Sequence, residues 1–167
     1  MGKLDNKMKN PLSTEEKLDQ IRKGDFIVMA TMAKAVEEKY GDEGLEVLAE
    51  AIRKRFHTIL QKLKDKGRMK VVVGDCTDIP AGVAALGDAL DAVAEWPELT
   101  AKHSVLNITS CPVAKQINRI FPGFCRRVLV GTDRAYSGVI NPKIKVTPKR
   151  YLCEGDDVCE LHYDLMD

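Results

Sequence analysis

Cys159-Glu160-Leu161-His162-Tyr163-Asp164-Leu165 alternates apolar and polar side chains, so Cys159, Leu161, Tyr163 and Leu165 share one face of a strand and Glu160, His162 and Asp164 the other. The preceding Glu154-Gly155-Asp156-Asp157-Val158 has the glycine and aspartates of a tight turn, and Ile144 to Leu152 supplies the strand on its far side. Ser104 to Ser110 alternates in the same manner, with Ser104, Leu106 and Ile108 on one face. The chain therefore closes on a small antiparallel sheet.

Working back from that sheet, the texture becomes helical. Between the strands, Cys111-Pro112 opens a helix to about Ile120, Phe121-Pro122-Gly123 breaks it, and Cys125 opens another to about Gly138. Ser13-Thr14-Glu15-Glu16 is a capping box that starts a helix to Lys23. A second apolar helix runs from Phe26 to a stop at Gly41. Leu45, Leu48, Ile52, Phe56, Ile59 and Leu63 form one stripe of a third, ended by Gly67. Val83, Leu86, Leu90 and Val93 predict a fourth helix that ends before Trp96-Pro97, and Met69 to Val73 reads as a short strand or an extended connector. The fold class expected is α+β: a helical N-terminal half packed on a small antiparallel sheet with inserted helices. Residues 1–12, polar and without periodicity, read as a flexible arm, and 13–167 as a single α+β domain.

Composition narrows the function. The 167 residues carry 26 basic and 25 acidic side chains, a net charge of +1, which argues against a nucleic-acid or polybasic membrane binder and for a small-molecule ligand. No run approaches the about 18 apolar residues of a spanning helix, and the start lacks an apolar signal core. A cytoplasmic protein, with room for a homodimer, is the expectation. Five cysteines, an odd number, suit thiols or metal ligands in a reducing compartment.

The cysteines stand at the ends of elements. Cys111 and Cys125 each begin a predicted helix, where the dipole draws a thiol toward thiolate; the alternative for each is a small buried apolar residue. Cys125, Leu129, Thr132 and Tyr136 recur on one helical face and read either as the wall of a ligand pocket or as core, while Arg126 and Asp133 share a neighbouring face. Oriented by Arg126, Asp133 stays ionised and can align water or accept a proton. Cys111, Asp133 and Arg126 are thus the candidate catalytic set. Cys153 and Cys159 flank the hairpin turn, close enough to share a metal. Zinc is the metal expected there, with Cys125 as third ligand and a carboxylate, His103 or His162 as fourth.

Taken in order, Ser110-Cys111-Pro112, Phe124-Cys125, Asp133, Asn141-Pro142 and Glu154-Gly155-Asp156-Asp157-Val158-Cys159-Glu160-Leu161 resemble the L-2-amino-thiazoline-4-carboxylic acid hydrolase family across the C-terminal third. The resemblance implies opening of a cyclic thiazoline amidine by water at a C–N bond, with a thiol or carboxylate near the carbon attacked. Its motif positions are Cys111, Cys125, Asp133 and Cys159. The ending is also similar to the four-vinyl reductase small-molecule-binding domain, whose closing G-x-x-x-C-x-F is matched by Gly155, Cys159 and Leu161, with leucine in place of the aromatic. Tyr151 stands where that domain has a further cysteine, and Cys153 is displaced by two residues. This second resemblance implies a non-catalytic sensor or carrier that encloses a small molecule beside a cysteine-rich zinc site.

Overall fold

The computed structural model describes residues 13–87 and 91–167, so the expected arm, 1–12, lies outside the described residues. Helix α1 runs from Thr14 to Asp65. Its start is the capping box read from the sequence: the Glu16 N–H donates to Ser13 Oγ at 3.1 Å and the Ser13 N–H to Glu16 Oε2 at 2.7 Å. The three helices expected over this stretch are one element, because the chain passes Gly24 in helical conformation and resumes helix immediately after Gly41. Gly41, at φ 66° and ψ −162°, is a kink rather than an end. Arg127 reaches Glu37 on one side of the kink and Asp42 on the other, which fixes the angle with one guanidinium.

Met69 to Val73, read as a short strand or an extended connector, is a connector. The Asp78 carboxylate accepts from the N–H groups of Val72, Val73 and Gly74, at 3.1, 2.9 and 2.7 Å, and these amides are then not offered to a ladder. Helix α2 is Ile79–Gly87. The helix expected from the sequence extends through Leu90 to Val93; 88–90 lie outside the described residues, and Val93 instead begins strand β1, Val93–Leu99. Its Trp96-Pro97 is accommodated because β1 is an edge strand and its register with β2 (His103–Ser110) shifts between Glu95 and Glu98.

Two helices follow β2 as expected: α3 (Ala114–Ile120) and α4 (Val130–Ile140), the latter entered through a π-helical turn at Cys125–Leu129. Strands β3 (Ile144–Arg150) and β4 (Cys159–Leu165) then complete an antiparallel sheet of order β1-β2-β4-β3. Register pairs Leu106 with Leu161, Ile108 with Cys159 and Tyr163 with both Ser104 and Val146, so the apolar alternation of three strands falls on one face. Helix α4 covers that face and α1 packs on α4. The core so formed includes Leu45, Leu106, Phe124, Val128, Leu161 and Tyr163. Gly82 of α2 admits the Tyr136 ring, which lies where a Cβ would stand, 1.6 Å from Cε2.

Candidate functional site

The helix–sheet interface places Asp133 of α4 opposite Tyr163 of β4. The Tyr163 hydroxyl donates to Asp133 Oδ1 at 3.1 Å. Burial raises the Asp133 carboxyl from its ordinary 3.8 to about 6; the Tyr163 hydrogen bond and the Arg134 charge offset only part of that cost. Burial together with the facing carboxylate pushes the Tyr163 phenol well above 10. Tyr151, 4% exposed, lies near the same carboxyl, and its hydroxyl is buried without a hydrogen-bond partner among the described residues.

Arg126 does not orient this carboxylate. Its guanidinium donates to Glu154, with Nη2 2.7 Å from Oε2 and Nε 2.9 Å from Oε1, and lies over the Tyr151 ring at 5.0 Å from the centroid. The expected Arg126–Asp133 pairing fails because the two side chains leave the helical segment in different directions: one toward the β3–β4 turn, the other toward the sheet. Asp133 is consequently a carboxyl of raised pKa rather than one held ionised by a cation.

The thiols also differ from expectation. Cys111 lines a surface cavity of about 370 Å³ together with Thr109, Ser110, Lys115, Asn118 and Leu152. Burial raises its pKa, and the Val113 and Ala114 N–H groups at the entry to α3 recover only part of the shift. Cys125 is raised further, first by a hydrogen bond to Cys153 and then by burial. Desolvation thus outweighs the helix-start field at both positions. In that pair it is Cys153 whose thiol is lowered, by the hydrogen bond from Cys125. Cys153 also donates to the Pro122 carbonyl at 3.4 Å, and Asn118 Nδ2 donates to the Cys153 carbonyl at 2.8 Å. Cys159, raised to about 12 by burial, accepts from the Leu152 N–H at 3.4 Å and lies within electrostatic reach of both Cys111 and Asp133.

Of the expected pocket wall, Cys125 and Leu129 are half-buried, whereas Thr132 and Tyr136 are buried and spend their hydroxyls on backbone. Thr132 donates to the Leu129 carbonyl at 2.7 Å, and Tyr136 to the Ile79 carbonyl at 2.6 Å. Both lie in the core with their donor protons engaged. The set Cys125, Cys153 and Cys159 is not gathered around one point: among the described residues no three His, Cys, Asp or Glu side chains are placed to hold a metal ion. The residues that motif reading missed are Tyr163 and Tyr151. A phenol on the inward face of a strand needs a polar partner, which was the available signal for Tyr163.

Comparison with known proteins gives a family match and solved structures of similar fold. The family model described as L-2-amino-thiazoline-4-carboxylic acid hydrolase matches residues 22–163. Among solved structures, a trafficking protein particle complex subunit 3 from Naegleria fowleri, covalently bound to palmitic acid, superposes with a TM-score of 0.58 at 12% identity, covering 92% of this chain and 97% of that one. At that identity the likeness is one of fold. No curated protein matches the chain.

Proposed function

Because this chain belongs to the L-2-amino-thiazoline-4-carboxylic acid hydrolase family, we propose that it hydrolyses a small cyclic amidine carboxylate in the Cys111 cavity, with Asp133 as the proton acceptor. The observation that carries this reading is the Asp133 carboxyl, raised to about 6 by burial and without an ion-pair partner among the described residues, together with a solvent-open cavity lined by Cys111, both within electrostatic reach of Cys159. A base works best when its pKa lies near the working pH. At neutral pH most of such a carboxyl is ionised, yet it is basic enough to take a proton from water. The oxygen of that water bonds to the amidine carbon as the ring nitrogen takes up the proton relayed by Asp133; the added hydroxyl then gives up its remaining proton as the C=O bond forms, the ring C–N bond breaks, and the nitrogen leaves as a primary amine carrying both protons. Lys115, exposed at the cavity, suits the substrate carboxylate. Tyr163 holds the base in position, and Cys159 lies within electrostatic reach of both the base and Cys111. No step is assigned to a metal.

The test is to supply 2-amino-thiazoline-4-carboxylate and follow ring opening by the wild type, Cys111→Ser and Lys115→Ala. Turnover by the wild type, with KM raised in Lys115→Ala, is the result expected. A wild type that binds the compound without turnover, or ignores it, contradicts the hydrolase reading.

A second reading, a non-catalytic carrier, draws on the fold relative bound covalently to palmitic acid. Here Cys111 is the thiol that a cavity exposes. Intact-mass measurement of freshly purified protein separates the two: a hydroxylamine-labile acyl adduct that maps to Cys111 supports the carrier, and an unmodified chain that turns over substrate supports the enzyme.

A further inference from the structure

The outer face of α1 carries an apolar stripe that no described element covers. Val28 is 56% and Met32 58% exposed, and Ile21 and Leu18 continue the line toward the helix start. Its pattern is palindromic. Asp25, Val28, Met32, Val36 and Lys39 are separated by three, four, four and three residues, and at about 100° per residue all five fall on one side of the helix. The pattern is opposite in charge at its two ends. Asp25 has no ion-pair partner among the described residues, and Lys39 rests its ammonium 5.2 Å from the centre of the Tyr40 ring.

We propose that α1 docks antiparallel on the α1 of a second copy of this chain, about a two-fold axis beside Met32. In an isologous contact each residue meets its mirror position. With Met32 against Met32, Val28 of one protomer faces Val36 of its partner and Asp25 faces Lys39, twice over. The same register carries Ile21 and Leu18 of one protomer toward the helix beyond the other's Gly41 kink. There an apolar cavity of about 630 Å³, lined by Val36, Tyr40, Gly44 and Val47 among others, lies open. A parallel pairing in the same register would set Asp25 against Asp25 and Lys39 against Lys39, so the charges select the antiparallel one. The inference is independent of the reaction assigned above.

Sedimentation of the full chain across a micromolar concentration series tests it. The wild type is expected to dimerise reversibly. Met32→Asp, at an exposed position, weakens the dimer by at least about tenfold without changing the melting temperature. Asp25→Lys weakens it by about tenfold, and Asp25→Lys combined with Lys39→Asp restores it to within about twofold, because the pair is only reversed. A monomeric wild type, a Met32→Asp dimer of undiminished affinity, or a double variant no tighter than Asp25→Lys alone overturns the proposal.

Discussion

Replacing Asp133 by asparagine removes an ionisation that the folded chain resists. The amide oxygen can still accept from Tyr163, so shape and hydrogen bond are retained. A carboxyl moved from 3.8 to about 6 favours the protonated form when folded. Between those two values the native state therefore holds more protons than the unfolded chain, and stability falls as pH rises. The displacement corresponds to at most about 3 kcal/mol, at about 1.4 kcal/mol per pH unit, absent below pH 3.8 and complete above about 7. The asparagine variant is free of this loss. Urea denaturation of both proteins from pH 4 to 8 reads it directly: the stability of Asp133→Asn relative to wild type should climb by about 2–3 kcal/mol across the series and level off above pH 7. Any fixed cost of the amide appears equally at every pH and leaves the slope untouched. Parallel pH profiles for the two proteins would refute the claim that this carboxyl is buried at an energetic cost.

Gly82→Ala should lower stability by about 3 kcal/mol in the same assay, because a Cβ there occupies the space of the Tyr136 ring and the ring must abandon its bond to the Ile79 carbonyl. A thiol probe at neutral pH should label Cys111 first and Cys125 next; Cys76, Cys153 and Cys159 are buried and should react only on unfolding, as peptide mapping over time will show. Labelling of Cys153 ahead of Cys111 would mean that the lowered thiol of the Cys125–Cys153 pair is more open than its burial indicates.

The fold was readable where a periodicity had a single interpretation. Cys159 to Leu165 alternates cleanly, and β4 lies at the centre of the sheet with its apolar set inward, which no other register satisfies. The capping box at Ser13 was equally local. Strand β1 was not legible, because Trp96-Pro97 reads as a breaker and its acceptance depends on lying at an edge beside a register shift. Gly41 gave its signal, but whether helix resumes after a left-handed glycine is decided by tertiary contact, here Arg127 gripping both sides. At the site, Cys111 and Asp133 were identifiable as residue types, whereas their ionisation was not. A helix start and a nearby arginine both argue for anions; burial reverses the first, and the pairing of Arg126 with Glu154 removes the second. The contact of Cys125 with Cys153 joins an inserted helix to a distant hairpin turn, and local spacing carries no trace of it.

The dependence of ring opening on pH, measured as kcat/KM for 2-amino-thiazoline-4-carboxylate with wild type and Asp133→Asn, bears on the central claim most directly. A carboxylate base of pKa about 6 predicts a rate that rises through pH 6 to a plateau above 7 and falls by about 10²-fold or more in the asparagine variant. A variant that opens the ring as fast as wild type, or a wild-type rate that stays flat through pH 6, would contradict the assignment of Asp133 as proton acceptor.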